Sequence, residues 1–191
     1  MSAPTQATTL SESPVLFSDP VVSAQIAYLE ELPPREAVFE PLARPMHSAL
    51  ADRLKTLEVE NLYVHQAKAY DAVMSGRDVV VVTGTNSGKT MCYNLPALQM
   101  CLAEPAARAL YLFPTKALAQ DQLGRLETLA DGLHVRVATY DGDTPQTHRS
   151  GIRRQSHIVL TNPDMLHVGI MPGHDHWSRF FKALRLIVID E

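Results

Sequence analysis

An α/β fold built on a parallel sheet is predicted by three observations. The run Val79-Val80-Val81-Val82 leads into a glycine-containing turn, Thr83-Gly84-Thr85-Asn86-Ser87-Gly88, and then into Lys89-Thr90 at the start of a helical stretch. A second apolar run, Leu186-Ile187-Val188-Ile189, ends on the acids Asp190-Glu191. Between them, short apolar runs alternate with segments of helix length, the pattern of βαβ units. Right-handed crossovers bring the carboxyl ends of such strands to one edge of the sheet. Gly84, Pro114, Thr161 and Asp190 are therefore expected on the same edge.

The elements follow in order. Residues 1–20 are rich in Ser, Thr, Pro and Ala, bury little, and are expected to be a disordered tail. Residues 21–60 read as an appendage in which Pro33-Pro34 excludes a continuous helix, with a helix from about Ser48 to Leu57. Residues 61–191 read as the main domain. A helix from His65 to Met74 precedes the Val79–Val82 run, whose four β-branched residues predict a strand buried on both faces. A helix from Lys89 to about Leu102, a strand at Ala109–Phe113 and a helix at Thr115–Leu129 come next. Then follow a strand at Val135–Ala138, a short basic helix, a strand at Ile158–Thr161, helices through Phe181 and the last strand.

Composition narrows the field. At 191 residues the chain suits one domain plus an appendage, and its 46% hydrophobic content is ordinary for a globular protein. A net charge of -4 gives no overall basic field, so any nucleic-acid binding must rest on local patches. Cys92 and Cys101 lie on opposed faces of one helix, so they read as small buried residues of a reducing compartment. No apolar run approaches about 18 residues. The first twenty residues carry no Lys or Arg, which argues against a signal peptide. A cytoplasmic location without membrane attachment is expected.

The turn after Val82 has the layout of a phosphate-binding loop. Gly84 and Gly88 allow close approach of the backbone, and the helix beginning at Lys89 offers N–H groups and the positive end of its dipole to an anion. Lys89 is placed to reach β- and γ-phosphates, and the Thr90 hydroxyl to ligate Mg²⁺. Thr85, Asn86, Ser87 and Gly88 would line the phosphates. Thr83 departs from the strict pattern, which has glycine at that position. At the last strand, Asp190 would hold Mg²⁺ through water, and Glu191 would orient or deprotonate an attacking water. Gln66, about 20 residues before the loop, can both donate to and accept from an adenine edge, and Tyr63 could stack nearby.

Two further strand-to-helix turns carry phosphate-contact chemistry. Pro114-Thr115-Lys116 offers a Thr cap and a lysine at a helix start. Thr161-Asn162-Pro163-Asp164 repeats the layout, with a Thr cap and a proline early in the helix. Each also reads as a plain capped helix. The stretch with His148, Arg149, Arg153 and Arg154, which follows Tyr140-Asp141-Gly142-Asp143-Thr144, is either a solvated face or a phosphate contact. His174-Asp175-His176 has spacing unsuited to a shared metal, and Trp177, Phe180 and Phe181 match the helical spacing of core residues.

Taken together these segments resemble the first motor domain of superfamily 2 helicases of the DEAD/DEAH-box type. Gln66 resembles their adenine motif, and Thr83–Thr90 resembles motif I, where a first residue other than glycine is usual. Pro114–Leu118 resembles motif Ia, Thr161–Asp164 motif Ib, and Asp190-Glu191 the start of motif II. The wording of Tyr111–Gln122 and Thr161–His167 is most similar to large repair helicases related to the bacterial mitomycin-repair helicase, which carry a Cys-rich zinc site. The resemblance implies a RecA-like P-loop NTPase domain with three layers and a parallel sheet, truncated at motif II. It implies ATP and Mg²⁺ as cofactors, and single-stranded DNA as partner with RNA as the alternative. It also implies a second RecA-like domain that supplies arginine fingers. Lys89, Asp190 and Glu191 would then carry catalysis, and Pro114, Thr115, Lys116, Thr161, Asn162 and Asp164 would hold nucleic acid. Without the second domain the 191 residues are expected to bind nucleotide weakly and hydrolyse little, since arginine fingers are worth on the order of 10³–10⁵ in rate. Two alternatives stand beside this reading: another P-loop NTPase, and a non-catalytic nucleotide- or nucleic-acid-binding remnant.

Overall fold

The computed structural model describes residues 20–28, 36–84 and 87–190, with the side chains of Val22 and Ser23 excepted. The expected disordered tail therefore falls almost wholly outside the described residues. The chain divides into two compact units, Met1–Glu36 and Ala37–Glu191. The described part of the first holds one short helix, α1 (Pro20–Ser23). All other elements belong to the second unit, including residues 37–60, which were expected in an appendage ending near residue 60.

Three helices open the second unit: α2 (Ser48–Thr56), α3 (Val64–Met74) and α4 (Lys89–Ala103). Strand β1 (Arg108–Leu112) leads through α5 (Lys116–Ala130) to β2 (Val137–Thr139). Helix α6 (Gln146–Gln155) leads to β3 (Ile158–Thr161). A short helix α7 (Pro163–Met165), a π-helical turn (Leu166–Ile170) and α8 (His174–Lys182) lead to β4 (Leu184–Ile189). The four strands form one sheet in the order β2-β3-β1-β4, with all neighbours parallel.

Strand alternation sorts the core into two faces. Ala109 and Tyr111 of β1, with Ile158 and Leu160 of β3, join a core lined by α2, α3, α4 and α5. Leu110 and Val159 point the other way, onto Trp177 and Phe180 of α8 and Ile170. This makes three layers. Leu50 and Leu54 of α2 lie in the larger core, so α2 is an integral part of the sheet domain. Trp177, Phe180 and Phe181 pack as expected, with Trp177 edge-on to Phe180 at 5.4 Å. Cys92 and Cys101 are free and buried, and burial pushes their thiols up to about 11 and about 12, which makes them inert packing groups.

One expected element does not form. Val79–Val82 is irregular chain, and Val80 and Val82 are 90% and 88% exposed rather than buried in the sheet. A strand is stabilised by a ladder to a neighbour, and among the described residues β4, the sheet's edge on the side of β1, pairs only with β1. With no neighbour, four valines have β-propensity but no sheet to occupy. The same edge leaves Ile187 and Ile189 of β4 exposed.

His157, just before β3, supplies a pH-dependent term. Its Nδ1 accepts the Arg136 backbone N–H at 2.9 Å, which requires that nitrogen to be unprotonated. Burial first, and then the positive charges of Arg108 and Arg136, lower its pKa below the ordinary 6.5. The unfolded chain therefore takes up this proton before the folded one. His157 contributes stability that is fully present above about pH 6.5 and is lost as the pH falls toward its folded value. H157Q is expected to flatten the decline in melting temperature below that pH; identical profiles for the two proteins would reject the assignment.

Candidate functional site

The parallel strands deliver their carboxyl ends to one edge. Connections leave β1 and β3, which are adjacent, toward opposite faces: α5 lies with the larger core and the α7–α8 segment with the smaller. Such a divergence opens a crevice at the strand ends, where open α/β sheets place ligands. Pro114-Thr115-Lys116 follows β1 and Thr161-Asn162 ends β3, so both predicted turns border this crevice. A cavity of about 820 Å³ lies elsewhere, at the amino ends of β2 and β3, between α5 and α6.

The loop before α4 is held by the start of α3. His65 Nε2 donates to the Ser87 carbonyl at 2.8 Å, and Gln66 Nε2 donates to the Gly88 carbonyl at 3.0 Å. Gln66 Oε1 accepts the Tyr63 N–H at 3.0 Å. Both ends of this buried amide are thus engaged within the protein, and reading an adenine edge requires Gln66 to exchange one of these partners. Gly88 caps α4 with φ 75°, and a Cβ there would stand 2.6 Å from Gln66 Nε2. The left-handed backbone favours glycine, and a Cβ would displace the Gln66 amide. Thr83 and Ser87 share a hydroxyl hydrogen bond of 2.6 Å across the turn. Lys89 Nζ donates to the Thr83 carbonyl at 3.2 Å, which folds the ammonium over the turn. Thr85, Asn86 and Glu191, also expected at the site, lie outside the described residues.

Helix α4 and the end of β4 meet through a residue that carries no motif. The Tyr93 hydroxyl donates to Asp190 Oδ2 at 3.1 Å. Burial, with smaller effects from Asp190 itself, pushes the phenol well above its usual range and keeps it a donor. Asp190 is in turn positioned by its own N–H on the Leu112 carbonyl at 3.0 Å. Lys89, Thr90 and Asp190 therefore share one end of the sheet, with Tyr93 one helical turn beyond Thr90.

Beside the loop stands a column of rings. An isolated antiparallel bridge joins Phe39 to Tyr63. Phe39 stacks on Tyr63 at 5.2 Å, and Tyr63 on His65 at 5.7 Å. Tyr63 is 40% exposed and Phe39 49%, so the column ends in solvent at one side and on the loop at the other. No sequence signal ties Phe39, 27 positions before Gln66, to the site.

The crevice turns differ from each other. Pro114, Thr115 and Lys116 are exposed, and the Thr115 hydroxyl caps α5 by accepting the Leu118 N–H at 3.2 Å. Thr161 and Asn162 are buried. The Thr161 hydroxyl donates to the Tyr140 carbonyl at 2.6 Å. The cap of α7 is Asn162, whose Oδ1 accepts the Met165 N–H at 2.7 Å; this corrects the expected Thr cap, because the last strand residue faces β2 while the next one faces the helix. Asp164 is exposed at the helix start. In the basic stretch, Arg149 and Arg153 turn inward. Arg149 donates to the Thr144 and Asp141 carbonyls at 3.0 and 3.1 Å and lies over the Tyr140 ring, and Arg153 donates to the Tyr140 hydroxyl. They brace the 140–144 turn, which leaves His148 and Arg154 as the exposed members.

A three-layer parallel sheet with a Gly-Lys-Thr helix start and a strand-terminal acid at one edge defines the RecA-like class of α/β domains. Residues 63–191 match the family described as DEAD/DEAH box helicase, and the chain belongs to that family. It is 44% identical over 178 residues to the uncharacterized ATP-dependent helicase YprA of Bacillus subtilis, covering 92% of this chain and 24% of YprA. It is 42% identical over 168 residues to the ATP-dependent helicase hrq1 of Schizosaccharomyces pombe, covering 85% of this chain and 16% of hrq1. A crystal structure of the DUF1998 helicase MrfA bound to DNA and AMPPNP superposes with a TM-score of 0.80 at 46% identity, over 84% of this chain and 23% of MrfA. The chain thus spans about a quarter or less of these relatives. Among the described residues, no helix is long and apolar enough to cross a membrane.

Proposed function

We propose that these residues form the ATP-binding motor lobe of an ATP-dependent DNA helicase of repair type. The observation that carries the reading is the junction of α4 with β4, where Tyr93 ties Asp190 to the helix that begins Gly88-Lys89-Thr90. An ammonium, a hydroxyl and a carboxylate at one strand edge form the donor set that suits a polyphosphate with Mg²⁺. Lys89 and the first N–H groups of α4 would hold the phosphates, Thr90 and Asp190 the metal, and Glu191 the attacking water. Bound ATP supplies the phosphoryl group whose transfer to water drives the motor. Gln66 would offer its amide to the base, with the exposed edge of Tyr63 beside it. Lys116 and the exposed turn around it would contact the sugar–phosphate backbone of single-stranded DNA; that MrfA is bound to DNA in its crystal structure supports DNA as the partner.

The runner-up, a non-catalytic binding remnant, shares the same loop and differs only in turnover. The segment alone is expected to bind nucleotide with little hydrolysis, because the family's second RecA-like domain supplies the arginine fingers. Titration of the purified chain with a fluorescent ATP analogue, with and without Mg²⁺, tests the reading. Saturable, Mg²⁺-dependent binding that unlabelled ATP competes away is expected; no binding at millimolar analogue would sink it. Single-stranded-DNA-stimulated ATPase in a protein carrying both motor domains would separate the helicase reading from the remnant.

A further inference from the structure

Lys116 is the exposed cation of the proposed nucleic-acid crevice, yet it is already paired. Its Nζ lies 3.0 Å from Asp143 Oδ2. Lys116 follows β1 and Asp143 follows β2, with β3 between those two strands, so the pair reaches across the end of β3. The lysine's path runs against Gly142, where an added Cβ would stand 3.2 Å from Nζ.

The carboxylate is presented by a turn with little freedom. Asp141 Oδ1 accepts the N–H groups of Asp143 and Thr144 at 2.9 and 3.1 Å, and the Thr144 hydroxyl accepts the Asp141 N–H at 2.9 Å. Arg149 clamps the turn's carbonyls from below, and Thr161 holds the Tyr140 carbonyl. The Asp143 backbone is therefore fixed, while its side chain is 82% exposed and has Lys116 as its ion-pair partner. Nothing in the fold requires that carboxylate: the turn is closed by Asp141, Thr144 and Arg149.

We infer that Asp143 is a gate on nucleic-acid binding: it competes with the phosphate backbone for Lys116. The inference rests on the proposed reading of the crevice as the site for single-stranded DNA. A phosphate entering the crevice takes the ammonium from Asp143 and leaves a bare carboxylate beside the bound strand. Both effects weaken the bound state relative to a protein without the carboxylate. Asp143 would thus hold the resting affinity of the crevice low and favour release of the strand, a property suited to a motor that must let go of each phosphate it grips.

The test is fluorescence anisotropy of fluorescein-labelled oligo(dT) with the 191-residue chain and four variants, at low and high salt. D143N is expected to bind roughly two- to fivefold more tightly at low salt, the range an exposed ion pair supports. The gain should shrink as salt screens the charges. D143E, which keeps the carboxylate, should stay near the unaltered chain. The decisive arm is the background: in K116Q, adding D143N should change affinity little. Affinity that is unchanged or lower in D143N overturns the gate, as does an equal gain with and without Lys116, which would mark a general field effect. Failure of the underlying reading looks different: oligo(dT) binding would then be absent, or indifferent to K116Q. The melting temperature of D143N should match that of the unaltered chain, since the turn's own hydrogen bonds do not use the Asp143 side chain.

Discussion

Replacing Lys89 by alanine is expected to lower nucleotide affinity by roughly ten- to a hundredfold while leaving the fold intact. The ammonium stands at the first residue of α4, behind a Gly88 held at φ 75°, and it is folded over the turn onto the Thr83 carbonyl. A phosphate seated on the α4 N-terminus would replace that neutral acceptor with a charged one. Hydrogen bonds to charged groups contribute about 1.5–3 kcal/mol, which sets the expected loss. The loop keeps its other ties in the variant, since His65 and Gln66 hold the Ser87 and Gly88 carbonyls independently of Lys89. Titration with a fluorescent ATP analogue measures the loss, and an unchanged circular-dichroism melt checks the fold. Affinity within a factor of about two of the unaltered chain would remove Lys89 from the phosphate site.

Trp177→Ala is expected to give the largest loss of stability, about 3–5 kcal/mol, as for other buried large-to-small truncations. Trp177 is 1% exposed and centres the smaller core, edge-on to Tyr140 at 4.7 Å and to Phe180 at 5.4 Å. Its loss leaves a cavity between rigid rings that cannot close over it. A domain whose total stability is of the order of 5–15 kcal/mol would lose a large share of it. Urea denaturation followed by circular dichroism measures the change, because Trp177 is the chain's single tryptophan and the variant has no indole emission. A loss under about 1 kcal/mol would mean that the layer is less well packed than its geometry indicates. Tyr140 opens the turn that carries Asp143, so the same variant should also loosen the Lys116 pairing.

Much of the sheet domain is legible in the residues themselves. Helices α3, α4 and α5 and strands β1, β3 and β4 fall within a few residues of their expected bounds, because capping residues, glycines and apolar periodicity mark them locally. Strand β2 is expected at Val135–Ala138 and forms at Val137–Thr139; Val135 is apolar and buried, yet it packs in the core ahead of the ladder. Likewise, periodicity marks that a residue is buried, not whether it is paired. Val79–Val82 has the strongest strand composition in the chain and forms no strand, since a ladder needs a second strand and composition does not supply one.

The candidate site divides along the same line. The identities of the candidate phosphate-loop residues, the strand-end acid and the two strand-to-helix turns are local patterns, and the sequence by itself determined them together with the fold class and the family. Tertiary structure alone decided which groups are free to act. Gln66 is engaged at both ends, Thr161 is spent on Tyr140, Arg149 and Arg153 face inward, and Lys116 is held by Asp143 across another strand. Phe39, His65 and Tyr93 entered the site without any motif. The physical reason is range: a cap or a loop is settled by residues three or four apart, whereas a hydrogen-bond partner on another strand or helix depends on how the whole sheet is ordered.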